Sequence, residues 1–371
     1  MPDVLIVCEY ATLSGGERSM LATLDLVSRA GFNLAVAAPP DGPLAESLGA
    51  RGIEVVPFTI RARGAALPQA RSRELLGEII RRRQPAIVHA NSLAMGRLAG
   101  PVAFESGLAG IAHLRDIVRL SAQAIRDLNR NVRLLAVSRA TAEFHAAQGL
   151  DAEKLHVVYN GVDLELFQPR RPTGYLHREL GLPPEAMLIG TIGQICLRKG
   201  FDMLVRAAEL LTHTLPQAHY LLVGERWSGK GESHELEQAI FAAAEGPLAG
   251  RLHVMGLRED VPQLLNELAM LVHPARQEPL GRVLLEAAAS GLPVIATDVG
   301  GTAEIFPPGS RAARLVPRDD AKELAEAIRE LAVSAELRSQ LGAAARQRMG
   351  MAFRLDTAAE ALVAQYRAAP G

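Results

Sequence analysis

The chain has 371 residues, of which 49 % are hydrophobic and 22 % are charged, and its formal net charge is −1. This is the composition of a globular protein, because disordered chains have fewer apolar residues and a larger net charge. The length exceeds one ordinary core and predicts two domains. The near-zero net charge argues against a nucleic-acid-binding protein.

The compartment is indicated by the cysteines and by the N-terminus. Cys8 and Cys196 are far apart, so no disulfide scaffold is expected and a reducing compartment is favoured. The N-terminus has no basic segment followed by a long apolar one, so no signal peptide is expected. No apolar stretch approaches the roughly 20 residues of a membrane span. The sequence therefore predicts a cytoplasmic protein.

Short apolar runs alternate with amphipathic segments in the first half of the chain. The runs predict strands at 4–7, 34–38, 55–58, 86–89, 134–138 and 155–159. Apolar residues at helical spacing predict helices at 17–30 and 72–83. Because the strands are continuously apolar, they indicate a parallel sheet covered on both faces.

The alternation stops between residues 163 and 184, a proline-rich stretch that predicts the linker between two domains. It then resumes as a second doubly wound unit. Strands are predicted at 187–192, 220–223, 252–255, 271–273 and 294–296, with helices at 201–212, 235–245, 261–268, 281–290 and 322–332. Two such units in tandem predict a ligand cleft where the carboxyl ends of their strands face each other.

The most informative segment runs from Glu278 to Glu286. Glu278 is a loop carboxylate, Gly281 opens a helix, and Glu286 lies inside that helix among apolar residues. A helix start offers free N–H groups to an anion, and carboxylates accept hydrogen bonds from sugar hydroxyls. A glutamate in so apolar a helix requires a partner. Two glutamates eight residues apart on a solvated surface are the alternative interpretation.

Residues 273–305, which begin His-Pro-Ala-Arg-Gln-Glu-Pro-Leu-Gly, resemble the signature of the retaining GT-B glycosyltransferases of family 4, the glycosyl transferases group 1 type. Three other segments resemble the motifs of that family and occur in its order. They are Ser14-Gly15-Gly16-Glu17, Asn160-Gly161-Val162-Asp163 with Phe167 and Pro169, and Gly193-Gln194 with Arg198-Lys199-Gly200. The resemblance covers essentially the whole chain.

The resemblance implies an α/β fold of the GT-B type, with two Rossmann-like doubly wound domains and an interdomain cleft. Residues 1–165 would form the acceptor-binding domain, and residues 166–350 would bind the nucleotide sugar. Helical spacing at 352–368 would correspond to a C-terminal helix that packs back on the first domain.

The donor site implied by the resemblance is centred on the two glutamates. Glu286 would bind the ribose hydroxyls. Glu278 would contact the donor sugar, together with the backbone N–H groups of Leu280, Gly281 and Arg282. The family frequently has an aromatic residue in place of Leu280, a departure from which we expect little effect.

The resemblance also implies a diphosphate site. Lys199 would neutralise the diphosphate, and Gly15 and Gly16 would let the backbone approach it. The family commonly has a second basic residue where this chain has Gln194, so Arg198 is the candidate substitute. For Lys199 a solvated position at a helix start is the alternative, and for the glycine pair an ordinary strand-to-helix turn.

Three polar residues at strand ends are candidates for contacts with the reacting groups. His113 follows the apolar run 110–112 and would lie near the donor sugar and the acceptor, as the resemblance implies. His89 and Asn91 would line the acceptor site. A histidine satisfied within the core is the alternative for each ring.

The resemblance implies transfer of a sugar with retention, catalysed by His113, Glu278 and Lys199. The partners would be a nucleotide-diphosphate sugar and a sugar, lipid-linked or small-molecule acceptor. No side chain reads as an activated nucleophile. No metal or other cofactor is expected, because no His/Cys cluster or Asp-X-Asp pair occurs.

Other classes of protein fit the sequence less well. Residues 224–231 nearly match a phosphate-binding P-loop, but Gly231 stands where Ser or Thr should hold Mg²⁺. No Gly-X-Gly-X-X-Gly of a dehydrogenase follows either opening strand. A sugar-nucleotide 2-epimerase shares the fold but has other motifs. A GT-B-like protein that binds nucleotide sugar without transferring it stays open.

Residues 61–139 are locally basic, with fourteen arginines against five acidic residues. The arginines are Arg61, Arg63, Arg71, Arg73, Arg81, Arg82, Arg83, Arg97, Arg115, Arg119, Arg126, Arg130, Arg133 and Arg139. This excess suggests peripheral contact with an anionic lipid surface at the inner membrane face, or binding of a phosphorylated acceptor. A solvated face balanced elsewhere in the fold is the alternative.

Overall fold

A computed structural model describes residues 1–62 and 65–369 of the chain, so Arg63 lies outside the described residues. The strands in chain order are β1 (Asp3–Val7), β2 (Asn33–Ala38), β3 (Glu54–Pro57), β4 (Arg61–Ala62), β5 (Ala65–Ala66), β6 (Ile87–Ala90), β7 (Ala109–Leu114), β8 (Arg133–Ala136), β9 (Leu155–Val157), β10 (Met187–Ile192), β11 (Ala218–Val223), β12 (Leu252–Gly256), β13 (Met270–His273), β14 (Val294–Thr297) and β15 (Arg314–Val316).

The helices complete both units. In chain order they are α1 (Gly15–Arg29), α2 (Pro43–Gly49), α3 (Gln69–Arg83), α4 (Leu93–Glu105), α5 (Ala122–Leu128), α6 (Arg139–Ala146), α7 (Tyr175–Leu180), α8 (Phe201–Leu210), α9 (Gly231–Glu245), α10 (Val261–Leu264), α11 (Arg282–Ala289), α12 (Thr302–Ile305), α13 (Ala321–Val333), α14 (Ala335–Ala352) and α15 (Leu355–Arg367). Within the part of the chain described, none of them is long and apolar enough to cross a bilayer.

The first unit contains residues 1–161 and the C-terminal residues from Leu355 onward. Its seven-stranded sheet has the order β3-β2-β1-β6-β7-β8-β9, and every pair is parallel. One face packs against α1 and α15, and the other packs against α3 and α4. Because both faces are covered, the strands are apolar on both sides, and the predicted parallel sheet is confirmed.

The second unit contains residues 162–354. Its sheet has the order β12-β11-β10-β13-β14-β15 and is also parallel throughout. The core lies between this sheet and helices that include α8, α9 and α13. The two units together form the predicted α/β architecture of two doubly wound sheets.

The proline-rich stretch at 163–184 belongs to the second unit instead of forming a free linker. Glu267 accepts hydrogen bonds from the backbone N–H groups of Thr173 and Gly174 at 2.6 and 2.8 Å. Asn266 accepts one from the backbone of Arg170 at 2.6 Å. The first unit accordingly ends at Gly161, a few residues before the predicted boundary at 165.

Candidate active site

The strand order of each sheet reverses at one point, and most of the predicted site residues lie in the loops beside it. In the first sheet the reversal lies between β1 and β6, and in the second between β10 and β13. The two strands at each reversal are paired with each other. Open α/β sheets bind ligands at the carboxyl ends of such strands, because the connecting helices diverge there and leave a crevice.

In the second unit, the loops after β10 and β13 bring Lys199 and Glu278 together. Lys199 ends a 3₁₀ turn (Leu197–Lys199) before α8, and its Nζ lies 2.5 Å from Oε2 of Glu278. His273, the last residue of β13, bonds to the same oxygen through Nε2 at 2.7 Å. Two donors therefore hold Oε2, whereas Oε1 accepts no hydrogen bond from the described residues.

The charge state of this cluster follows from its burial. Glu278 is 4 % exposed, and burial alone would raise its pKa. The charge of Lys199 and the hydrogen bond from His273 outweigh that effect, so the pKa lies well below the ordinary 4.5. Burial lowers the pKa of His273, so its ring is neutral and donates from Nε2–H. The result is an ionised, buried carboxylate paired with one lysine.

The backbone path after Glu278 requires glycine at two positions. Gly281 has a φ of +103°, and a Cβ there would lie 2.6 Å from Cδ1 of Leu284. Gly301 donates its N–H to the carbonyl of Glu278 at 2.9 Å. A Cβ on Gly301 would lie 2.4 Å from the carbonyl oxygen of Pro279. Only glycine fits either position without displacing a neighbouring atom or straining the backbone.

This loop presents free donors at the start of α11. The backbone N–H groups of Leu280, Gly281 and Arg282 find no acceptor within the described part of the chain. One turn further on, Glu286 is 8 % exposed and is paired with Nε of Arg282 at 2.5 Å. Glu278, the N–H groups and Glu286 thus follow one another along a single loop and helix.

The predicted diphosphate residue Arg198 precedes Lys199 in the 3₁₀ turn. Its guanidinium makes no ion pair with any residue that the structure describes. It lies close enough to His273 to contribute to the lowered pKa of that ring. Gln194, which stands where the family has a basic residue, is half-buried after β10. The second unit therefore holds two adjacent cations and one buried carboxylate beside the start of α11.

In the first unit, Gly15 and Gly16 begin α1 beside the strand reversal. A Cβ on Gly16 would lie 3.1 Å from Cδ of Arg115, so the small residue admits that side chain. A Cβ on Gly15 would meet nothing within 4 Å among the described residues. Glu17, in the first turn of α1, is 5 % exposed and accepts a hydrogen bond from Ser14.

Arg115, which the sequence marks only as one arginine of the basic segment 61–139, organises the predicted residues of the first unit. Its Nε donates to the carbonyl of Asn91 and its Nη2 to Oδ1 of Asn91, both at 3.0 Å. Its Nη1 donates to Oδ1 of Asn160 at 3.0 Å. Its Nη2 also donates to Nδ1 of His113 at 3.2 Å. Asn160 belongs to the predicted interdomain motif, so Arg115 joins three separate segments of the chain.

His113 is a neutral donor in this arrangement. Burial, then the charge of Arg115, lowers its pKa well below 6.5. Arginine has no acceptor, so Nδ1 of His113 must accept from Arg115 and the proton must lie on Nε2. The Nε2 atom is buried and has no partner among the described residues. Nε2 of His113 is therefore a hydrogen-bond donor, and the ring is not available as a base.

His89 lies in β6, is 2 % exposed, and bonds through Nδ1 to the hydroxyl of Tyr366 at 2.6 Å. Burial, then the charge of Arg115, lowers the pKa of His89 to about 3. Burial raises the pKa of Tyr366, which keeps its proton. The rings of His89 and His113 stack with centroids 5.5 Å apart. Tyr366 thus links the C-terminal helix α15 to the histidine pair.

These residues line one pocket between the sheet and the helices α1 and α15. The pocket contains His89, Asn91, His113, Arg115 and Tyr366. Nε2 of His89, Nδ2 of Asn91 and Nε2 of His113 are buried there without a hydrogen-bond partner in residues 1–62 and 65–369. The hydroxyl of Tyr366 is satisfied if it donates to Nδ1 of His89, which leaves Nε2–H as a donor. The pocket therefore suits an oxygen acceptor.

Three residues of these clusters were missed at the level of the sequence. His273 lies inside the recognised motif, but nothing in the sequence pairs it with Glu278. Arg115 follows His113 by two residues at the end of a strand, which is a weak signal of a site residue. Tyr366 gives no signal beyond the apolar spacing of its helix. Among the described residues, no group of three or more metal-ligating side chains occurs.

The chain matches two protein families over most of its length. Residues 13–166 match Glycosyltransferase Family 4, and residues 175–348 match Glycosyl transferases group 1. The fold, the four motifs and both matches agree. The chain belongs to the GT-B glycosyltransferases of family 4, group 1.

The chain is also similar to individual proteins that are named as glycosyltransferases. The chain is 31 % identical over 214 residues to the lipopolysaccharide core biosynthesis mannosyltransferase LpsB of Rhizobium meliloti, covering 57 % of this chain. It is 30 % identical over 258 residues to a D-inositol 3-phosphate glycosyltransferase of Corynebacterium jeikeium, covering 68 % of this chain. The matched segment spans 60 % of the length of each of these relatives.

The fold is similar to that of HepE from Anabaena, which was solved in complex with UDP and glucose. The TM-score is 0.86 and the identity is 22 %, with 99 % of this chain and 100 % of that chain covered. At this identity the similarity establishes the fold, and the fold is GT-B.

Replacement of Tyr366 by Phe tests the hydrogen bond to His89. The change leaves Nδ1 of His89 buried without a partner, and we expect the free energy of unfolding to fall by about 1–3 kcal/mol. The matched control is Tyr220→Phe, because Tyr220 is 1 % exposed and its hydroxyl bonds to no described residue. Urea unfolding followed by circular dichroism measures both. Equal effects of the two variants would contradict the assignment.

The pKa of Glu278 provides a test of its pairing. We expect its carboxyl ¹³C signal to titrate below the ordinary 4.5, and Lys199→Met to raise the midpoint because burial then acts with less opposition. Since the folded pKa is the lower one, this ionisation stabilises the fold above about pH 4.5, and the contribution is lost as the pH falls. Lys322→Met, an exposed lysine on α13, is the control. An unchanged midpoint in Lys199→Met would refute the pairing.

Proposed function

We propose that this protein is a retaining glycosyltransferase that moves a sugar from a nucleotide-diphosphate sugar to an acceptor hydroxyl in glycan, glycolipid or glycoconjugate biosynthesis. The observation that carries the proposal is the pair of Lys199 and Glu278 beside the free N–H groups at the start of α11. A cation, free backbone donors and a carboxylate with one open oxygen fit a ligand that has both phosphates and sugar hydroxyls.

The donor would lie along the loop and helix that follow β13. Glu278 would accept a sugar hydroxyl through Oε1, because Oε2 is already held by two donors. The N–H groups of Leu280, Gly281 and Arg282 would bind phosphate or sugar oxygens. Glu286 would accept hydrogen bonds from the ribose hydroxyls. Its ion pair with Arg282 would either be kept or be broken when the ribose binds.

The reaction breaks the bond between the sugar C1 and the phosphate oxygen and forms a bond between C1 and the acceptor oxygen. The leaving diphosphate gains charge in the transition state, and Lys199 and Arg198 would stabilise it. The acceptor proton would pass to the leaving phosphate oxygen on the same face of the sugar, which retains the configuration. No protein nucleophile is needed, and the protein contributes by positioning and charge.

The first unit would contribute the acceptor side. His113 and Asn91 would donate hydrogen bonds to substrate oxygens through atoms that have no partner among the described residues. His89 would line the same pocket, held by Tyr366. Gly15 and Gly16 would allow the diphosphate to approach the backbone at the start of α1, where Arg115 already lies against Gly16.

The names of the relatives support a donor and an acceptor of these classes. They include a mannosyltransferase of lipopolysaccharide core biosynthesis, a D-inositol 3-phosphate glycosyltransferase, and a structure with UDP and glucose. Contact with anionic lipid through the arginine-rich segment stays a hypothesis, because several of its arginines are engaged within the fold. Arg73 pairs with Asp127, and Arg83 pairs with Glu54.

A non-catalytic nucleotide-sugar-binding protein with this fold is the alternative function. Loss of motif residues would favour it, whereas Lys199, Glu278 and Glu286 are all present in this chain. The two functions differ in whether the bound donor is consumed, so binding and turnover are tested separately.

Calorimetric titration with UDP, GDP, ADP and dTDP tests the nucleotide site. We expect one of them to bind the wild type and Glu286→Ala to weaken that binding about 10- to 100-fold, the value of a lost hydrogen bond to a charged group. Glu209→Ala, an exposed glutamate on α8, should bind like the wild type. If no nucleotide binds at millimolar concentration, the proposed donor class is wrong.

The stereochemistry can be read from slow hydrolysis of the donor. With the base identified by titration and glucose as the sugar, we expect ¹H NMR to show α-glucose as the first product of an α-linked donor. Lys199→Met should slow its release, which assigns the hydrolysis to this site. Initial formation of β-glucose would contradict retention, and turnover of any kind would exclude the non-catalytic alternative.

A further inference from the structure

The turn that carries Lys199 and the loop that carries Glu278 are joined by one side chain, that of Arg276. Its Nη1 donates to the carbonyl oxygen of Leu197 at 2.8 Å. Its backbone N–H donates to the carbonyl of Arg198, also at 2.8 Å. Arg276 lies two residues before Glu278, so the same residue bonds the turn through both its backbone and its side chain.

Two carboxylates hold the guanidinium of Arg276 in this orientation. Asp202 in α8 accepts from Nη1 and Nη2 at 2.8 and 2.7 Å, and Asp319 accepts from Nε at 2.5 Å. The hydrogen bond to Asp202 raises the pKa of Arg276 by more than burial lowers it. The guanidinium is therefore always charged. Its charge is therefore matched within the fold and is not offered to a ligand.

The backbones of the turn and the loop are in direct contact. Gly200 has a φ of +69°, and a Cβ on it would lie 1.8 Å from the carbonyl oxygen of Pro274. Glycine at this position lets the turn approach the loop, but it forms no bond that sets their register. The two hydrogen bonds from Arg276 supply that register.

We propose that Arg276 is a positioning residue that holds the 3₁₀ turn so that Lys199 points at Glu278. The ammonium of Lys199 ends a flexible chain of four carbons, whereas the guanidinium is a planar fork with five donors. Only an arginine can bond Asp202 with two nitrogens, Asp319 with a third, and Leu197 in addition. This inference rests on the proposed function, because it makes diphosphate binding by Lys199 depend on Arg276.

Arg276→Lys is the decisive variant, because it keeps the charge and loses the fork. We expect it to weaken binding of the nucleotide selected from UDP, GDP, ADP and dTDP by about 10- to 100-fold, the value of a lost hydrogen bond between charged groups. In the background of Lys199→Met the same change should alter affinity less than 2-fold. An equal loss in both backgrounds would show that Arg276 acts independently of Lys199 and would overturn the proposal.

Arg314 provides a matched control in the same unit. It pairs with Glu323 at 2.8 Å and Glu330 at 3.1 Å, and it donates to the carbonyl of Leu315 at 2.9 Å. Arg314→Lys therefore removes the same kind of contacts at a distance from Lys199 in sequence. We expect Arg314→Lys to lower the stability but to leave nucleotide affinity within 2-fold. If Arg314→Lys lost as much affinity as Arg276→Lys, the effect of Arg276→Lys would be explained by general destabilisation, and the proposal would fail.

A measurement without nucleotide separates this inference from the proposed function. The chain has only four lysines, Lys154, Lys199, Lys230 and Lys322, so ¹³C labelling of the lysine ε-carbon gives four signals in the wild type. Each Arg→Lys variant adds a fifth, and Lys199→Met identifies the signal of Lys199. We expect the ε-methylene of Lys199 to be ordered in the wild type and in Arg314→Lys, and mobile in Arg276→Lys. If Lys199 stays ordered in Arg276→Lys, the proposal fails even where nucleotide binds. If no nucleotide binds the wild type, the proposed function fails and this signal alone decides the positioning role.

Discussion

The reversal of strand order in each sheet is the constraint on which the candidate site depends. Loops that leave neighbouring parallel strands at their carboxyl ends must emerge at one edge, whatever their separation along the chain. This brings Lys199 within 2.5 Å of Glu278 although 79 residues separate them. In the first sheet the same geometry places Arg115, from the loop after β7, against Gly16 and Asn91. The topology therefore determines which loops come into contact, and the side chains determine the functional groups and the local packing there.

Burial of Glu278 sets the electrostatic character of the second unit. A carboxylate that is 4 % exposed would ordinarily become neutral, because loss of hydration disfavours its charge. Here Lys199 and the neutral ring of His273 keep it ionised through a single oxygen. Removal of either charged partner leaves the other poorly compensated, so Lys199 and Glu278 behave as a unit. Oε1 of Glu278 accepts no hydrogen bond from the described residues. A carboxylate that is already charged and oriented can accept a hydrogen bond from a hydroxyl without the cost of rearranging solvent.

The sequence predicted the architecture and the identity of the motif residues better than it predicted their contacts. Continuous apolar strands and amphipathic helices follow from local periodicity, so both parallel sheets could be anticipated. Helix α14 was missed, because its buried residues Leu341, Ala345 and Met349 recur at a spacing of four and form only a narrow stripe. Contacts such as that of Tyr366 with His89 join residues 277 apart, and no local pattern encodes them. The tautomer of His113 depends on Arg115 in the same way, so it becomes visible only once the fold places the guanidinium beside the ring.

The distribution of charge around the 3₁₀ turn separates the residues that hold the structure from those left for a ligand. Arg276 is matched by Asp202 and Asp319, and its charge is used within the fold. Lys199 and Arg198 carry two positive charges, of which that of Lys199 is paired with the ionised carboxylate of Glu278, and the ring of His273 is neutral. Lys199, Arg198 and Glu278 therefore sum to a formal charge of +1, whereas Arg276, Asp202 and Asp319 sum to −1, and the start of α11 adds free N–H groups. The cations and the free N–H groups attract a ligand with two phosphates, and they give an uncharged sugar no comparable attraction. This placement of charge supports the proposed diphosphate site more directly than the proposed sugar contacts.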